Sequence, residues 1–529
     1  MGGDVAADLV SAPLSWRRQH WNTHLERHAF AVPDQAALRF EGRTTTWRQL
    51  RDRVHRLANA LARRGVGFGD RVALLTGNRP EFIEAMLAAT RLGAIAVPVN
   101  FRLTAPEIAY VLENSEAKLM VADGLADRPA RQAVEQIGHD LTVVTVSPSE
   151  PWPQAEAYED LIAETGPDHD PVDVPESSPA LIMYTSGTTG RPKGAVLSHQ
   201  NLHAQALTII RAFGWVDDGE VNLVASPLFH IGAIGSVVPA LLIGATIVIA
   251  PTRPFDSGEI LDLLEGEKVT TVFLVPTQWQ ALCDDPSVPK RDLSALRVMS
   301  WGAAPASDTL LRRMAEVFPH ASNVALFGQT EMSPVTCVLQ GKDALRKLGS
   351  VGRPVPTVAA RIVDSDMNDV PVGEVGEIVY RGPSLMEGYW RNPEATAEAF
   401  RGGWFHSGDL VRADEEGFIY VVDRVKDMII SGGENIYCAE VENVLAGHPA
   451  IAEVSVVGRP HPHWGETPVA FVVLRDPQTT LTIEELREWA SGKLARYKLP
   501  TSLEIIDVLP RNASGKVLKP VLRERLTKS

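Results

Sequence analysis

The sequence predicts an α/β protein in which a large N-terminal domain of mostly parallel sheet carries an antiparallel β lobe and precedes a small α+β domain. Three observations predict it. Across residues 71–355, short apolar runs alternate with helix-like stretches, the pattern of parallel strands covered by helices. Across 358–420 the pattern turns to Val-rich runs with Gly-centred turns at Val372-Gly373 and Glu416-Gly417, an antiparallel signature. After Asp423 it shifts again to a helix, two strands, a helix and a last strand, a separate unit of about a hundred residues.

Taken in order, strands are expected at 72–75, 94–99, 119–122, 269–275 and 296–300. Phe82, Ile83, Met86 and Leu87 recur at helical spacing between the first two. In the C-terminal unit the helices are expected at 439–445 and 484–494, with strands near Val454 and Val469 and at 503–506. Residues 221–252 contain no Asp, Glu, Lys or Arg, and 231–250 is long and apolar enough to suggest a membrane span. Pro239, Gly232, Gly235 and Gly244 interrupt it, and Thr246-Ile247-Val248-Ile249 is β-branched, so a buried helix followed by a buried strand fits better.

Length and charge narrow the class. A chain of 529 residues exceeds one core and predicts two to four domains. A net charge of -15 argues against a nucleic-acid partner, which needs a basic field. The three cysteines, Cys283, Cys337 and Cys438, lack metal-ligand spacing and read as reduced core thiols of a cytoplasmic protein. The N-terminus lacks the layout of a signal peptide.

The richest dozen residues run from Tyr184 to Ala195. Gly187, Gly190 and Gly194 let backbone N–H groups approach an anion, Thr185, Ser186, Thr188 and Thr189 add hydroxyls, and Lys193 adds a charge. Together they describe a phosphate grip. A Walker loop is excluded, because Pro192 and Gly194 flank the lysine where Gly and Ser or Thr are required. A Gly/Thr linker is disfavoured by the core segments on both sides, Leu181-Ile182-Met183-Tyr184 and Ala195-Val196-Leu197.

Five further groups bear on chemistry. In Phe327-Gly328-Gln329-Thr330-Glu331, a hydroxyl and a carboxylate at a strand end suit Mg²⁺, although alone they read equally as a solvated loop. Asp409, closing Trp404-Phe405-His406-Ser407-Gly408-Asp409, suits ribose hydroxyls or a capped turn. Asp423-Arg424-Val425-Lys426-Asp427 suits a hinge, a sugar-phosphate contact or a solvated connection. Ser431-Gly432-Gly433-Glu434-Asn435 allows a chain-like ligand near the backbone, or is a plain turn. Lys516, after Ser514-Gly515, lies on a basic loop from which it reaches phosphoryl charge, unless that loop is an ordinary tail. His461-Pro462-His463 lacks metal-ligand partners, and neither Ser198 nor Ser407 sits in a nucleophile elbow.

In this order the motifs resemble the adenylate-forming superfamily of acyl-CoA synthetases, carrier-linked adenylation domains and luciferases, along nearly the whole chain. Through the run from Asp427 to Asn435 and Leu494-Ala495-Arg496-Tyr497-Lys498, the chain looks most like the long-chain fatty acyl-CoA ligases of actinobacteria. The resemblance implies a doubly wound N-terminal domain at 1–425 and a mobile C-terminal domain at 426–529, hinged near Lys426. It implies that a fatty acid is activated by ATP with Mg²⁺ to an acyl-adenylate and pyrophosphate, and that the acyl group then passes to coenzyme A as co-substrate. An aryl or shorter acid as the substrate, or a carrier protein as the acceptor, is the alternative within this reading; a lipid-uptake or binding role is disfavoured by Lys516, Glu331 and Asp409.

By the same resemblance, Thr185, Ser186, Gly187, Thr188, Thr189, Gly190 and Lys193 hold the β- and γ-phosphates, with Thr185 and Glu331 at Mg²⁺. Gly302, Ala303, Ala304 and Phe327 frame the adenine with Gly328, Gln329 and Thr330 beside them, and Asp409, Tyr420 and Arg424 take the ribose side. Lys516 bridges carboxylate and α-phosphate during adenylation. Ser431, Gly432, Gly433 and Glu434 line the coenzyme A channel. His230 gates an acyl pocket to which Ile231 and Gly232 are assigned; Trp279 and Trp301 are further candidates for its wall, with core packing as their default reading. Three departures from the pattern stand out: Phe327 for tyrosine, Ser407 for threonine and Ala303 for glycine. Peripheral membrane contact and a homodimer are compatible with this reading.

Overall fold

The computed structural model describes residues 17–170, 172–185, 191–216, 219–432, 434–511 and 517–528. The chain forms two compact units, one reaching Ala359 and including Arg381–Arg401, the other made of Ala360–Tyr380 and Gly402–Ser529. The position expected for the hinge, Lys426, lies inside the second unit.

Among the described residues, the first unit contains a nine-stranded and an eight-stranded sheet. In the nine-stranded sheet, Ser322–Gly328, Val298–Gly302, Thr271–Leu274, Val221–Val224, Thr246–Ile249 and Ala36–Phe40 run parallel, side by side in that order. Antiparallel strands finish both edges, Arg43–Thr46 on one side and Val335–Leu339 with Arg353–Pro354 on the other. The eight-stranded sheet has a parallel body built on Ile95–Pro98, Arg71–Leu75, Leu119–Asp123 and Thr142–Val146. Pro179–Thr185 joins it parallel to Ile95–Pro98, and then Lys193–Ser198 and Gly388–Tyr389 add antiparallel strands.

The parallel expectation is met because the strands are apolar on both faces. Leu119–Asp123 is buried throughout, and so is Ile95–Pro98. Two features differ from the reading of the sequence. The parallel pattern begins earlier, with Ala36–Phe40 pairing to Thr246–Ile249, and Gly388–Tyr389 leaves the antiparallel lobe to pair with Lys193–Ser198. Both strands are short, and their pairing is settled by neighbours distant in sequence. The uncharged stretch is the helix Ile231–Ile243 followed by the strand Thr246–Ile249, and no described helix is long and apolar enough to cross a membrane.

The second unit holds the antiparallel sheet Ala359–Val363, Gly376–Arg381, Phe405–Ala413 and Ile419–Arg424. A second sheet is built on the pair Ile451–His461 and Gly465–Leu474, with Ile429–Ser431 and Glu434–Ile436 on one side and Ser502–Ile505 paired to Gly465–Leu474. The helix Cys438–Ala446 packs on it through Val441 and Leu445, and Ile483–Ala490 through Leu486 and Ala490. A terminal helix, Lys519–Lys528, was not expected from the sequence; its Leu522 joins a small cluster with Val457, Val469, Phe471 and Leu509. The three cysteines are free and buried.

Histidines mark one helix contact of the first unit. His20, at the start of the helix Trp21–Ala31, packs tilted against His199 at a centroid distance of 4.7 Å, and His24 stacks on His203 at 5.8 Å. Burial drives the imidazoles toward the neutral form: His20 is lowered to about 4 and His24 to about 3, while His199 and His203 are also lowered. Arg18, Arg91 and Arg27 reinforce these shifts, and Glu176 opposes them at His20 and His203. A histidine lowered in the folded state contributes stability fully present above its unfolded value of about 6.5 and lost as pH falls toward its folded value. The melting temperature is therefore expected to fall as pH drops from about 7 to about 4. His199→Phe, which keeps a ring and removes the titration, is expected to flatten that dependence when thermal melts are compared across the range.

Candidate active site

In the first unit the site is built where strand ends meet. Thr185 and Lys193 are register partners at the open end of the antiparallel pair Pro179–Thr185 and Lys193–Ser198. The residues between them that were assigned to phosphate, Ser186, Gly187, Thr188, Thr189 and Gly190, lie outside the described residues. What frames that loop is firmly held. Tyr110 donates its hydroxyl to the Pro192 carbonyl at 3.0 Å, and Tyr184 donates to Asn114 Oδ1 at 2.6 Å. At Gly194 a Cβ would lie 2.6 Å from Ile182 Cγ2, so glycine permits the close packing under the strand.

Glu331 follows the strand Ser322–Gly328 on the short helix Thr330–Met332. Its Oε1 accepts from the Tyr389 hydroxyl at 2.9 Å, while the Lys193 ammonium lies 5.2 Å from the centre of the Tyr389 ring. Burial, and then the charge of Glu331, hold the Tyr389 phenol protonated well above its usual value. Met386 donates its N–H to the Glu331 carbonyl at 2.8 Å and Trp390 to the Gly194 carbonyl at 2.7 Å. The structure thus brings Thr185, Lys193 and Glu331 into one neighbourhood, with Tyr389 as an intermediary that motif reading missed. Its aromatic position in Gly388-Tyr389-Trp390 carried no chemical signal by itself.

Gly302 and Phe327-Gly328 stand at the C-terminal ends of adjacent parallel strands, the usual ligand edge of such sheets. A Cβ on Gly302 would lie 2.3 Å from the Leu326 carbonyl oxygen. Ala303 has φ 65°, the left-handed region that glycine adopts freely, so its replacement of glycine carries backbone strain of about 1 kcal/mol. Ala303 and Ala304 are exposed and Phe327 is half-buried beside Gln329 and Thr330.

His230 caps the helix Ile231–Ile243, its Nδ1 accepting from the Gly232 N–H at 3.1 Å. Ile231 is buried, and the missing side chain of Gly232 faces Phe273, 3.9 Å from where its Cβ would be. The two tryptophans are both buried, as core packing, their default reading, requires. Trp279 is fully buried, donates its indole N–H to the Ser300 carbonyl at 3.0 Å and packs edge-on against Phe318, which makes it a core residue. Trp301 is buried too and donates to Asn323 Oδ1 at 2.7 Å.

The second unit carries the other assigned groups. Asp409, 4% exposed, pairs across the sheet with Arg424, whose Nε lies 2.9 Å from Asp409 Oδ1. Ser407 sets the turn before it, donating to the Ile378 carbonyl at 2.5 Å and accepting from the Asp409 N–H at 3.0 Å. Glu377, unnoticed in the sequence, accepts from the Gly408 N–H at 2.8 Å and meets His406 Nδ1 at 2.8 Å. Tyr420 is half-buried; its hydroxyl reaches Asp414 Oδ2 at 3.3 Å and its ring lies under the Arg412 guanidinium.

Burial lowers the Lys426 amine. Arg523 spans this connection, donating to the Lys426 carbonyl at 3.3 Å and to Asp427 Oδ1 at 3.1 Å, while the Cys438 thiol donates to the Asp427 carbonyl. Ser431 and Glu434 pair across the turn that Gly432 enters with φ 60°. Gly432 donates to the Trp464 carbonyl at 2.7 Å, and a Cβ there would strike the half-exposed Trp464 ring at 2.8 Å. Gly433 and Lys516 lie outside the described residues; flanking the latter, Arg511 and Val517 form an antiparallel bridge.

A family described as AMP-binding enzyme matches residues 25–390, and its C-terminal domain matches 440–516. The chain belongs to the AMP-binding enzyme family. It is 41% identical to a feruloyl-CoA synthase of Amycolatopsis over 94% of this chain and 97% of that protein. It is 35% identical to a long-chain-fatty-acid CoA ligase of Mycobacterium tuberculosis over 91% of this chain and 93% of that one. The solved o-succinylbenzoate CoA synthetase of Bacillus subtilis, bound to its acyl-adenylate, superposes with a TM-score of 0.84 at 31% identity, covering 97% of this chain and 98% of that one. This AMP-binding enzyme is an adenylate-forming acid–CoA ligase whose reaction uses ATP, Mg²⁺ and coenzyme A.

The donor set suits Mg²⁺. Among the described residues no group of three or more His, Cys, Asp or Glu gathers as a metal site, yet Mg²⁺ prefers one or two protein oxygens with phosphates supplying the rest. Glu331 and the Thr185 hydroxyl offer oxygens of that kind. Gly328→Ala tests the backbone under Glu331, because a Cβ there would lie 1.9 Å from the Pro334 carbonyl oxygen. Urea denaturation is expected to show a loss of about 2–4 kcal/mol, whereas Gly166→Ala, with no atom near its Cβ position, is expected to be close to neutral.

Proposed function

We propose that this AMP-binding enzyme activates an aromatic carboxylic acid of the hydroxycinnamate kind and transfers it to coenzyme A. The likeness to feruloyl-CoA synthase over 94% of the chain, 41% identity against 35% for the fatty-acid ligase, carries the aromatic reading. A long-chain fatty acid, expected from the sequence, is the competing substrate.

In the first half-reaction the substrate carboxylate oxygen attacks the α-phosphorus, the bond to the bridging oxygen breaks, and pyrophosphate leaves. Thr185 to Lys193 hold the departing phosphates, and Lys193 remains directed at them by its contact with the Tyr389 ring. Glu331 and Thr185 would hold Mg²⁺, which when bound neutralises phosphate charge. Tyr389 orients Glu331 by donating to one oxygen, leaving the other for the cation. Asp409, kept in place by Arg424 and the Ser407 turn, accepts from the ribose hydroxyls. Gly302 and Phe327 flank the adenine, and Lys516 places its charge between carboxylate and α-phosphate.

In the second half-reaction the thiol sulfur of coenzyme A attacks the acyl carbon, the thiol proton is released and AMP leaves. His230 stands between acyl group and thiol, and Gly432 presents backbone to the pantetheine. The C-terminal segment after Lys426 turns between the halves and withdraws Lys516. The domains take part as 1–425 and 426–529.

Pyrophosphate and AMP release measured with hydroxycinnamic, phenylalkanoic and fatty acids of increasing length tests the substrate reading. Highest kcat/KM for the aromatic acids is expected; a preference for long alkyl acids would replace the reading. Lys516→Ala is expected to lower adenylation by about 10² or more while leaving thioester formation from supplied acyl-adenylate nearly intact. Equal loss of both halves would refute the division of labour. Asp409→Asn is expected to raise the KM for ATP about tenfold in the pyrophosphate-release assay.

A further inference from the structure

Gln205 lies on the helix His199–Phe213 and is 2% exposed, yet neither its amide nitrogen nor its amide oxygen has a hydrogen-bond partner among the described residues. Two unpartnered atoms on one buried side chain are costly, and a leucine of similar volume would avoid the cost. A buried amide of this kind calls for an explanation, and a group from outside the chain that bonds it is one.

The position of the amide indicates what. Its Nε2 lies 3.4 Å from where a Cβ of Gly235 would be, and Pro334 Cδ lies 2.9 Å from the same point. Gly235 belongs to the helix that His230 caps, and Pro334 follows Glu331 by three residues. One turn earlier on that helix, Gly232 faces Phe273, which also lies 3.4 Å from the Cβ position of Gly302. Residues three apart share a helix face. Gly232 and Gly235 therefore lie along one face running from His230 toward Gln205, and at Gly235 the absence of a side chain lets Pro334 and the Gln205 amide pack close to the helix.

We propose that Gln205 determines specificity by hydrogen bonding a hydroxyl on the ring of the acid substrate. The inference rests on the aromatic reading above. A primary amide both donates and accepts, which matches a hydroxyl that does the same, and an alkyl chain would leave both atoms unpartnered. A site built to bond a hydroxyl discriminates strongly against the analogue lacking it, because the buried partner is then orphaned.

The test compares 4-hydroxycinnamic acid with 4-methylcinnamic acid, two acids of nearly equal shape, by pyrophosphate release. The unmodified enzyme is expected to favour the hydroxy acid by about 30-fold or more in kcat/KM, mainly through KM. In Gln205→Leu and Gln205→Met the ratio is expected to fall to within about threefold, with turnover of the methyl acid retained. A ratio near unity in the unmodified enzyme, which needs no variant to fold, would overturn the proposal. So would variants that keep the ratio, or that slow both acids alike. Absence of pyrophosphate from every aromatic acid, with release from fatty acids, would instead overturn the aromatic reading on which the proposal rests.

Discussion

The first unit depends on backbone meeting backbone where side chains are absent. Gly302 lies against the Leu326 carbonyl and Gly328 against the Pro334 carbonyl, at distances a Cβ would close to 2.3 and 1.9 Å. These contacts hold the ends of two parallel strands and the Glu331 turn in one layer. Without them Phe327 and Glu331 would have no common reference. The chain from 386 to 390 completes the arrangement through main-chain bonds to Glu331 and Gly194, and so delivers Tyr389 to the carboxylate. The Glu331 backbone is thus held by main chain while its carboxylate is oriented by the Tyr389 hydroxyl.

The second unit solves a related problem with ionic and hydroxyl contacts. Asp409 is buried and therefore needs its charge balanced; Arg424 does this across the strand pair, and Ser407 locks the preceding turn. The departure from threonine at Ser407 keeps the hydroxyl that both bonds use. Ala303 shows the opposite case, since it takes a left-handed conformation that glycine adopts freely. Arg523 of the terminal helix bonds the carbonyl of Lys426 and the carboxylate of Asp427, so the connection proposed as a hinge is tethered by a cation.

Much of this was legible in the chain, for physical reasons that differ by element. Continuous apolar runs such as 119–122 have one stable use, a strand covered on both faces, and the structure places Leu119–Asp123 accordingly. The uncharged stretch read correctly as helix then strand because proline and glycine break it and β-branched residues follow. The short strands Ala36–Phe40 and Gly388–Tyr389 were not legible, since their pairing comes from partners far along the chain. Trp279 left a pocket wall and core packing both open in the sequence, and only its bond to the Ser300 carbonyl and its contact with the Phe318 ring show how it is held in the core.

By itself the sequence determined the chemistry: the residue types of the phosphate loop, of Glu331, Asp409 and Lys516, and the order in which they occur. Each of these groups alone also reads as an ordinary loop, turn or tail, and it is their order along the chain that carries the resemblance. Only the tertiary structure decided how those groups are held. Tyr389 on Glu331, Glu377 on His406 and the unpartnered amide of Gln205 are ordinary residues whose meaning comes from burial and from neighbours distant in the chain. Hydrogen bonding and desolvation act between residues in space, and no spacing along the chain encodes them.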